Sequence, residues 1–99
     1  KDIIPPYIPA SLQSAWAQYS VLSENRRKLQ DKLKDQGVPT AIYYPKPLHL
    51  QTAYSCLSYN AGNFPVCEKV SKQILSLPMH PYLHKGDIEM IGRLMAVVN

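Results

Sequence analysis

Thr40-Ala41-Ile42-Tyr43-Tyr44-Pro45-Lys46-Pro47-Leu48-His49-Leu50-Gln51 is the stretch on which the reading of this chain turns. It opens as a β-type run, is stopped by Pro45, and meets a second proline at Pro47. Each proline fixes its own φ and pushes the residue before it toward extended geometry. Tyr44 and Lys46 are therefore expected in a stiff, non-helical loop leaving the end of a strand. That loop carries two phenols, an ammonium group and the imidazole of His49, and loops on a rigid scaffold commonly present binding groups. The same residues have a plainer reading, in which the tyrosines cover a sheet edge and His49 starts a short helix. Tyr43, Tyr44, Lys46 and His49 are the candidate substrate-binding residues.

Upstream of this loop, Ala15, Ala17, Tyr19 and Val21 alternate with Trp16, Gln18, Ser20 and Leu22, which predicts a half-buried strand over 14–22. Ser23 is placed to cap a helix that runs to about Gln36 and ends at Gly37. Its apolar stripe is narrow, mainly Leu29 and Leu33, and the rest is charged, so it should lie solvated on a sheet. A second strand is expected over Pro39 to Tyr44. Residues 1–13 include Ile3-Ile4-Pro5-Pro6-Tyr7-Ile8-Pro9 and read as an extended, proline-rich linker from an upstream domain, with the folded domain at 14–99.

Downstream, Leu48 to Ala53 should make one helical turn, and Ser55 to Asn63 a polar surface loop. Pro65 suits the first turn of a second helix. Val66, Cys67, Val70 and Ile74 fall on one face of it, which predicts Cys67 to be a small buried hydrophobe. Leu75-Ser76-Leu77 reads as a third strand before the second proline loop, Met79 to Leu83. A last helix should run from Gly86-Asp87 to about Val98, packing Ile88, Ile91, Leu94, Met95 and Val98 on the sheet. The order β-α-β-loop-α-β-α predicts an α/β (α+β) two-layer sandwich, a three-stranded sheet with about three helices on one face.

The composition narrows the function classes. Ninety-nine residues make one small domain. A net charge of +4 is too mild for a dedicated nucleic-acid binder, and no apolar run approaches membrane-spanning length. Cys56 and Cys67 are spaced neither as a zinc ribbon nor as a redox pair, which suggests a reducing, cytoplasmic setting. His80 and His84 are four apart, but Pro81 between them argues against a helix, so no metal site is expected. There is no glycine-rich phosphate loop. Glu68 and Glu89 suggest no acid–base pair, and nothing local activates Cys67 toward His80. No catalytic residue is expected in this chain. It begins Lys1-Asp2, which reads as a piece of something longer.

Several ordered motifs resemble the small C-terminal domain of the DegT/DnrJ/EryC1/StrS family, pyridoxal-phosphate-dependent nucleotide-sugar aminotransferases of the aspartate aminotransferase fold type (fold-type I). Ser14 to Val21 resembles that domain's first strand, and Asn25-Arg26 to Gly37 its helix with the Lys-x-x-Gly-Val ending. Tyr44-Pro45-Lys46-Pro47-Leu48-His49 resembles the Tyr-Pro-x-Pro-Leu-His loop, Phe64-Pro65-Val66-Cys67-Glu68 the Phe-Pro-x-x-Glu helix start, and Leu75-Ser76-Leu77-Pro78 the Leu-Ser-Leu-Pro signature. Together these cover nearly the whole chain.

The resemblance implies a homodimeric enzyme with its active site at the subunit interface. It would move an amino group from glutamate to a nucleotide-linked keto-sugar, in cell-surface polysaccharide or amino-sugar biosynthesis. The Schiff-base lysine and the aspartate on the pyridine nitrogen would belong to a large N-terminal domain, so no pyridoxal phosphate is expected on this chain alone. The loop matching Tyr43 to His49 would border the nucleotide-sugar site. Tyr44 carries over from the family's pattern, whereas Tyr43 stands where many members have histidine. The competing readings are a freestanding module binding RNA or protein through its basic helix and seven tyrosines, and a structural relic of the enzyme. The balancing acids on that helix, and the lack of an aromatic nucleic-acid signature, argue against an RNA partner.

Overall fold

The computed structural model describes residues 2–97. Its centre is a three-stranded antiparallel sheet in the order β1-β2-β3, with β1 at Ile3–Ile4, β2 at Tyr19–Ser23 and β3 at Ile74–Leu77. The β2–β3 register pairs Tyr19 with Leu77 and Val21 with Leu75. Side chains alternate along a strand, so these four share one face. Ser20, Leu22, Ile74 and Ser76 take the other, where the Ser20 and Ser76 hydroxyls meet at 2.7 Å.

Helix α1 spans Arg26–Asp35, α2 Pro65–Gln73 and α3 Lys85–Ala96. The core joins Val21 and Leu75 of the sheet to Leu29 and Leu33 of α1, Val38, and Ile91 of α3. Each fully buried Leu or Val contributes about 1.5–3 kcal/mol relative to exposure. The stop of α1 is specified by Gly37, at φ +75°. The Val38 N–H donates to the Leu33 carbonyl at 2.8 Å and the Gly37 N–H to the Lys34 carbonyl at 2.9 Å. This is the Schellman pattern, and Val38 and Leu33, both buried, make its hydrophobic closure.

The architecture is the α/β sandwich read from the sequence, with several local differences. The expected strand 14–22 begins only at Tyr19. Trp16 takes φ +49°, its N–H donates to Ser14 Oγ, and its ring stacks on Tyr19. Ser23 does not cap α1. It ends β2, buried, and accepts the Asn25 N–H at 3.2 Å, while Asn25 takes the cap position without a side-chain bond. The expected strand at 39–44 is reduced to one bridge, Ala41 to Ser76, because Pro39 and Pro45 offer no N–H to extend the ladder. The third strand comes instead from the proline-rich lead-in, where Ile3 pairs with Ser23 and Ile4 with Leu22.

Two 3₁₀ helices, Leu48–Leu50 and Thr52–Leu57, replace the single turn expected at 48–53 and take up the start of the 55–63 loop. Helix α2 runs directly into β3 and buries only Ser71, whose carbonyl accepts a hydrogen bond from the Arg26 guanidinium. Val66 and Cys67 are therefore exposed, not buried. On α3, Ile91 is buried and Leu94 and Met95 pack beside it, but Ile88 faces outward; Val98 lies outside the described residues.

The body is extended for its length. Its radius of gyration is 15.5 Å, against about 13 Å for a compact domain of this size. Its accessible surface is 7585 Å², against about 5700 Å² for a free-standing monomer of this mass.

Two stability tests follow from this core. Gly37→Ala meets no steric obstacle at Cβ, so its cost is that of the left-handed backbone, about 1 kcal/mol. Leu33→Ala leaves a cavity between helix and sheet and should cost about 3 kcal/mol. Urea unfolding of the two variants measures both, and the expected order is Leu33→Ala well below Gly37→Ala.

Candidate functional site

The loop after the Ala41–Ser76 bridge turns away from the sheet. Ile42 still packs on the core. Tyr43 and Tyr44, joined by a cis peptide bond, are 44% and 70% exposed, with their rings edge to face at 5.8 Å. Lys46 is exposed. Pro47 sits at φ −55°, ψ 145°, the polyproline conformation. Gln51 Nε2 donates to the Lys46 carbonyl at 3.2 Å and tethers the loop to the following 3₁₀ turn.

Tyr43, Tyr44, Lys46, Pro47 and Leu48 line one wall of a cleft of about 320 Å³. Cys67 and Val70 of α2 and Ile74 of β3 line the other. The cleft thus has an apolar floor with two phenols and an ammonium group at its rim. Such a rim can hydrogen-bond a polar ligand, stack on a flat one and attract an anion. Tyr43 also borders a second cleft of about 350 Å³, with Gln18, Thr40 and Ser76 on the far side of the Ala41 bridge.

His49 does not join this group. It is only 9% exposed, and its ring packs edge to face on Phe64 at 4.8 Å. Its Nε2 lies 3.5 Å from Glu68 Oε1, yet makes no hydrogen bond of good geometry. The two groups lie within ion-pair distance without forming a hydrogen bond, so the two observations describe one polar contact. Glu68 is the residue that the sequence reading gave no role in the site. Its two carboxylate oxygens accept the Gly62 N–H at 2.8 and 3.0 Å. The available signal was its place three residues after Pro65, in the first turn of α2, where a carboxylate favours the helix N-terminus.

The remaining candidates stay apart. Cys67 lines the first cleft and His80 a different, apolar one beside Ile88 and Met95. Glu89 faces Lys85 at 3.8 Å on the exposed side of α3. Among the described residues, no three His, Cys, Asp or Glu side chains gather as a metal ion would require, and no helix is long and apolar enough to cross a membrane. The lining of this cleft does not fit a pyridoxal phosphate site. Lys46 is exposed at a cleft rim lined by no carboxylate, which leaves nothing to hold a pyridinium nitrogen.

The split between rim and interior predicts different stability effects. Tyr44→Ala should change unfolding free energy by less than about 0.5 kcal/mol, as an exposed site. His49→Ala removes a buried ring and should cost about 2 kcal/mol. Parallel urea titrations check the contrast.

Comparison with known proteins adds the following. A model of the DegT/DnrJ/EryC1/StrS aminotransferase family matches residues 2–96. The UDP-2-acetamido-2-deoxy-3-oxo-D-glucuronate aminotransferase of Pseudomonas aeruginosa is 43% identical over 86 residues, covering 87% of this chain and 23% of its own length. A solved DegT DnrJ EryC1 StrS aminotransferase from Brucella abortus superposes with a TM-score of 0.83 at 50% identity, covering 95% of this chain and 26% of that one. S. venezuelae DesV, solved in complex with a ketimine intermediate, superposes with a TM-score of 0.88 at 29% identity, covering 97% and 26%. This chain spans about a quarter of the length of the relatives it matches.

Proposed function

The chain belongs to the DegT/DnrJ/EryC1/StrS aminotransferase family, and we propose that it is the C-terminal small domain of a nucleotide-sugar aminotransferase, forming a wall of the substrate site. The observation that carries this reading is the mismatch between surface and length. The chain exposes 7585 Å², roughly a third more than a free-standing domain of its mass, and spans about a quarter of the relatives it matches. Such a body leans on other polypeptide, here a large N-terminal domain that holds the cofactor.

The substrate class in this reading is a nucleotide-linked keto-sugar, as the names of the relatives from Pseudomonas aeruginosa and Acidithiobacillus ferrooxidans suggest; glutamate as the amine donor is part of the same proposal and follows from the family resemblance alone. Pyridoxal phosphate, when bound by the whole enzyme, supplies the amine-transfer chemistry. The residues of this chain do something else. The Tyr44 hydroxyl hydrogen-bonds the ligand and Tyr43 flanks it, the ring standing where many family members carry histidine. Lys46 places a positive charge near the diphosphate. The prolines hold these groups in place, so little ordering cost falls on binding. The cleft floor of Val70 and Ile74 excludes water from that side. The reading includes a homodimer, a cytoplasmic setting and a role in polysaccharide or amino-sugar biosynthesis.

The test is kinetic. In the full-length protein, Tyr44→Phe should lower kcat/KM for a UDP-linked keto-sugar about fivefold, the loss of one hydrogen bond worth about 1 kcal/mol. Lys46→Ala should raise KM and weaken its dependence on salt. Wild-type constants for both variants would remove this loop from the substrate site.

A further inference from the structure

We propose that His49 and Glu68 form a buried clasp that positions the Tyr43–Lys46 rim, and that His49 is a positioning residue with no contact to substrate. The inference gives His49, a substrate-binding candidate from the sequence, a different role, and rests on the proposed function only for its second readout.

The His49 imidazole sits in an unusual place. His49 is nine-tenths buried against Phe64, a site where a phenylalanine would pack without desolvating a ring nitrogen. Its Nε2 has no hydrogen-bond partner, and such buried polar atoms are uncommon in folded proteins. What faces that nitrogen is the Glu68 carboxylate at 3.5 Å, itself only 15% exposed. A carboxylate withdrawn from water requires polar neighbours. The Gly62 N–H supplies one donor, shared between both oxygens. The imidazole is the second polar group aimed at the same carboxylate.

The contacts join three segments. His49 lies on the 3₁₀ turn that follows the proline loop, three residues from Lys46 and five from Tyr44. That turn is tied back to the loop by Gln51 Nε2 on the Lys46 carbonyl. Glu68 belongs to α2, which floors the cleft through Val70, two residues further on. Gly62, at φ +92°, belongs to the 58–63 loop, and Tyr59 of that loop packs on the far side of Phe64 at 5.0 Å. One carboxylate therefore holds the rim, the floor and a neighbouring loop in register. The polar component is separable from the ring packing, because the Phe64 contact needs only an aromatic ring and the Glu68 contact only a donor.

That separation gives the experiment, done on the full-length protein. His49→Phe keeps the ring and loses the polar contact; His49→Gln keeps an amide donor and loses the ring. The first readout is amide hydrogen exchange in peptides covering 44–51 and 58–64. His49→Phe should speed exchange in both by about tenfold, a local opening rather than global unfolding. Gly62 does not touch His49, so its faster exchange would report transmission through Glu68. His49→Gln should restore protection in both peptides. Unchanged exchange in His49→Phe, or faster exchange confined to 44–51, would overturn the clasp. The second readout is kcat/KM for a UDP-linked keto-sugar. A loss of about fivefold in His49→Phe, recovered in His49→Gln, is the expected outcome. Loosened peptides with wild-type kinetics would leave the clasp standing and count against this rim as a substrate wall; a His49→Gln protein that keeps protection but loses activity would return His49 to direct substrate contact and overturn its positioning role.

Discussion

The pairing of β2 with β3 is the constraint on which the rest of the molecule depends. Val21 and Leu75 stand opposite each other on one face and are sealed by Leu29 and Leu33. A slip of one residue would turn both outward and expose the sheet's only buried pair. The same strand β3 also fixes the candidate site. On its free edge, Ser76 exchanges two backbone hydrogen bonds with Ala41, and the Tyr43–Lys46 loop starts from that bridge. At its N-terminal end, β3 continues directly from α2, which carries Glu68 and Val70. Rim and floor thus take their positions from one four-residue strand.

Much of this was legible in the sequence because local signals and burial agree. Gly37 after Leu33 marks the stop of α1, and the αL backbone there is what only glycine adopts at little cost. Pro65 at the first turn of α2, the alternation that places Tyr19 and Val21 on one face of β2, and the short strand Leu75–Leu77 before Pro78 were equally plain. The failures share a cause. The strand predicted at 39–44 has β-type residues, but Pro39 and Pro45 offer no N–H to extend the ladder beyond the single Ala41–Ser76 bridge, and the place beside β2 is filled by Ile3–Ile4 from far away in sequence. The lead-in looked like a linker because its prolines mask two strand residues. No local pattern reports which distant segment pairs with an edge.

The site shows the same division. The proline rule puts the Tyr43–Lys46 segment outside helix and strand, and the structure shows it exposed there. The rule says nothing about His49, which lies beyond the second proline on a 3₁₀ turn and faces inward. Its neighbour Glu68 is 19 residues further on, and only the packing of α2 against the turn brings them together. Residue type alone suggested a ligand group, whereas the structure places the ring buried against Phe64 with its Nε2 3.5 Å from the Glu68 carboxylate. Cys67 erred in the opposite direction: an apolar helix face was read as core, but in this chain that face borders an open cleft.

A domain with so thin a core and so much open surface has its role set by what it leans on. The account treats the chain as a rigid wall with a polar rim, and treats the amine-transfer chemistry as the work of polypeptide outside it. The most direct measurement is a crystal structure of the full-length protein with a UDP-linked amino sugar bound. The account predicts Tyr44 and Lys46 side chains within about 4 Å of the ligand, with His49 still turned inward onto Glu68. A ligand bound without contact from the 43–46 segment would contradict it.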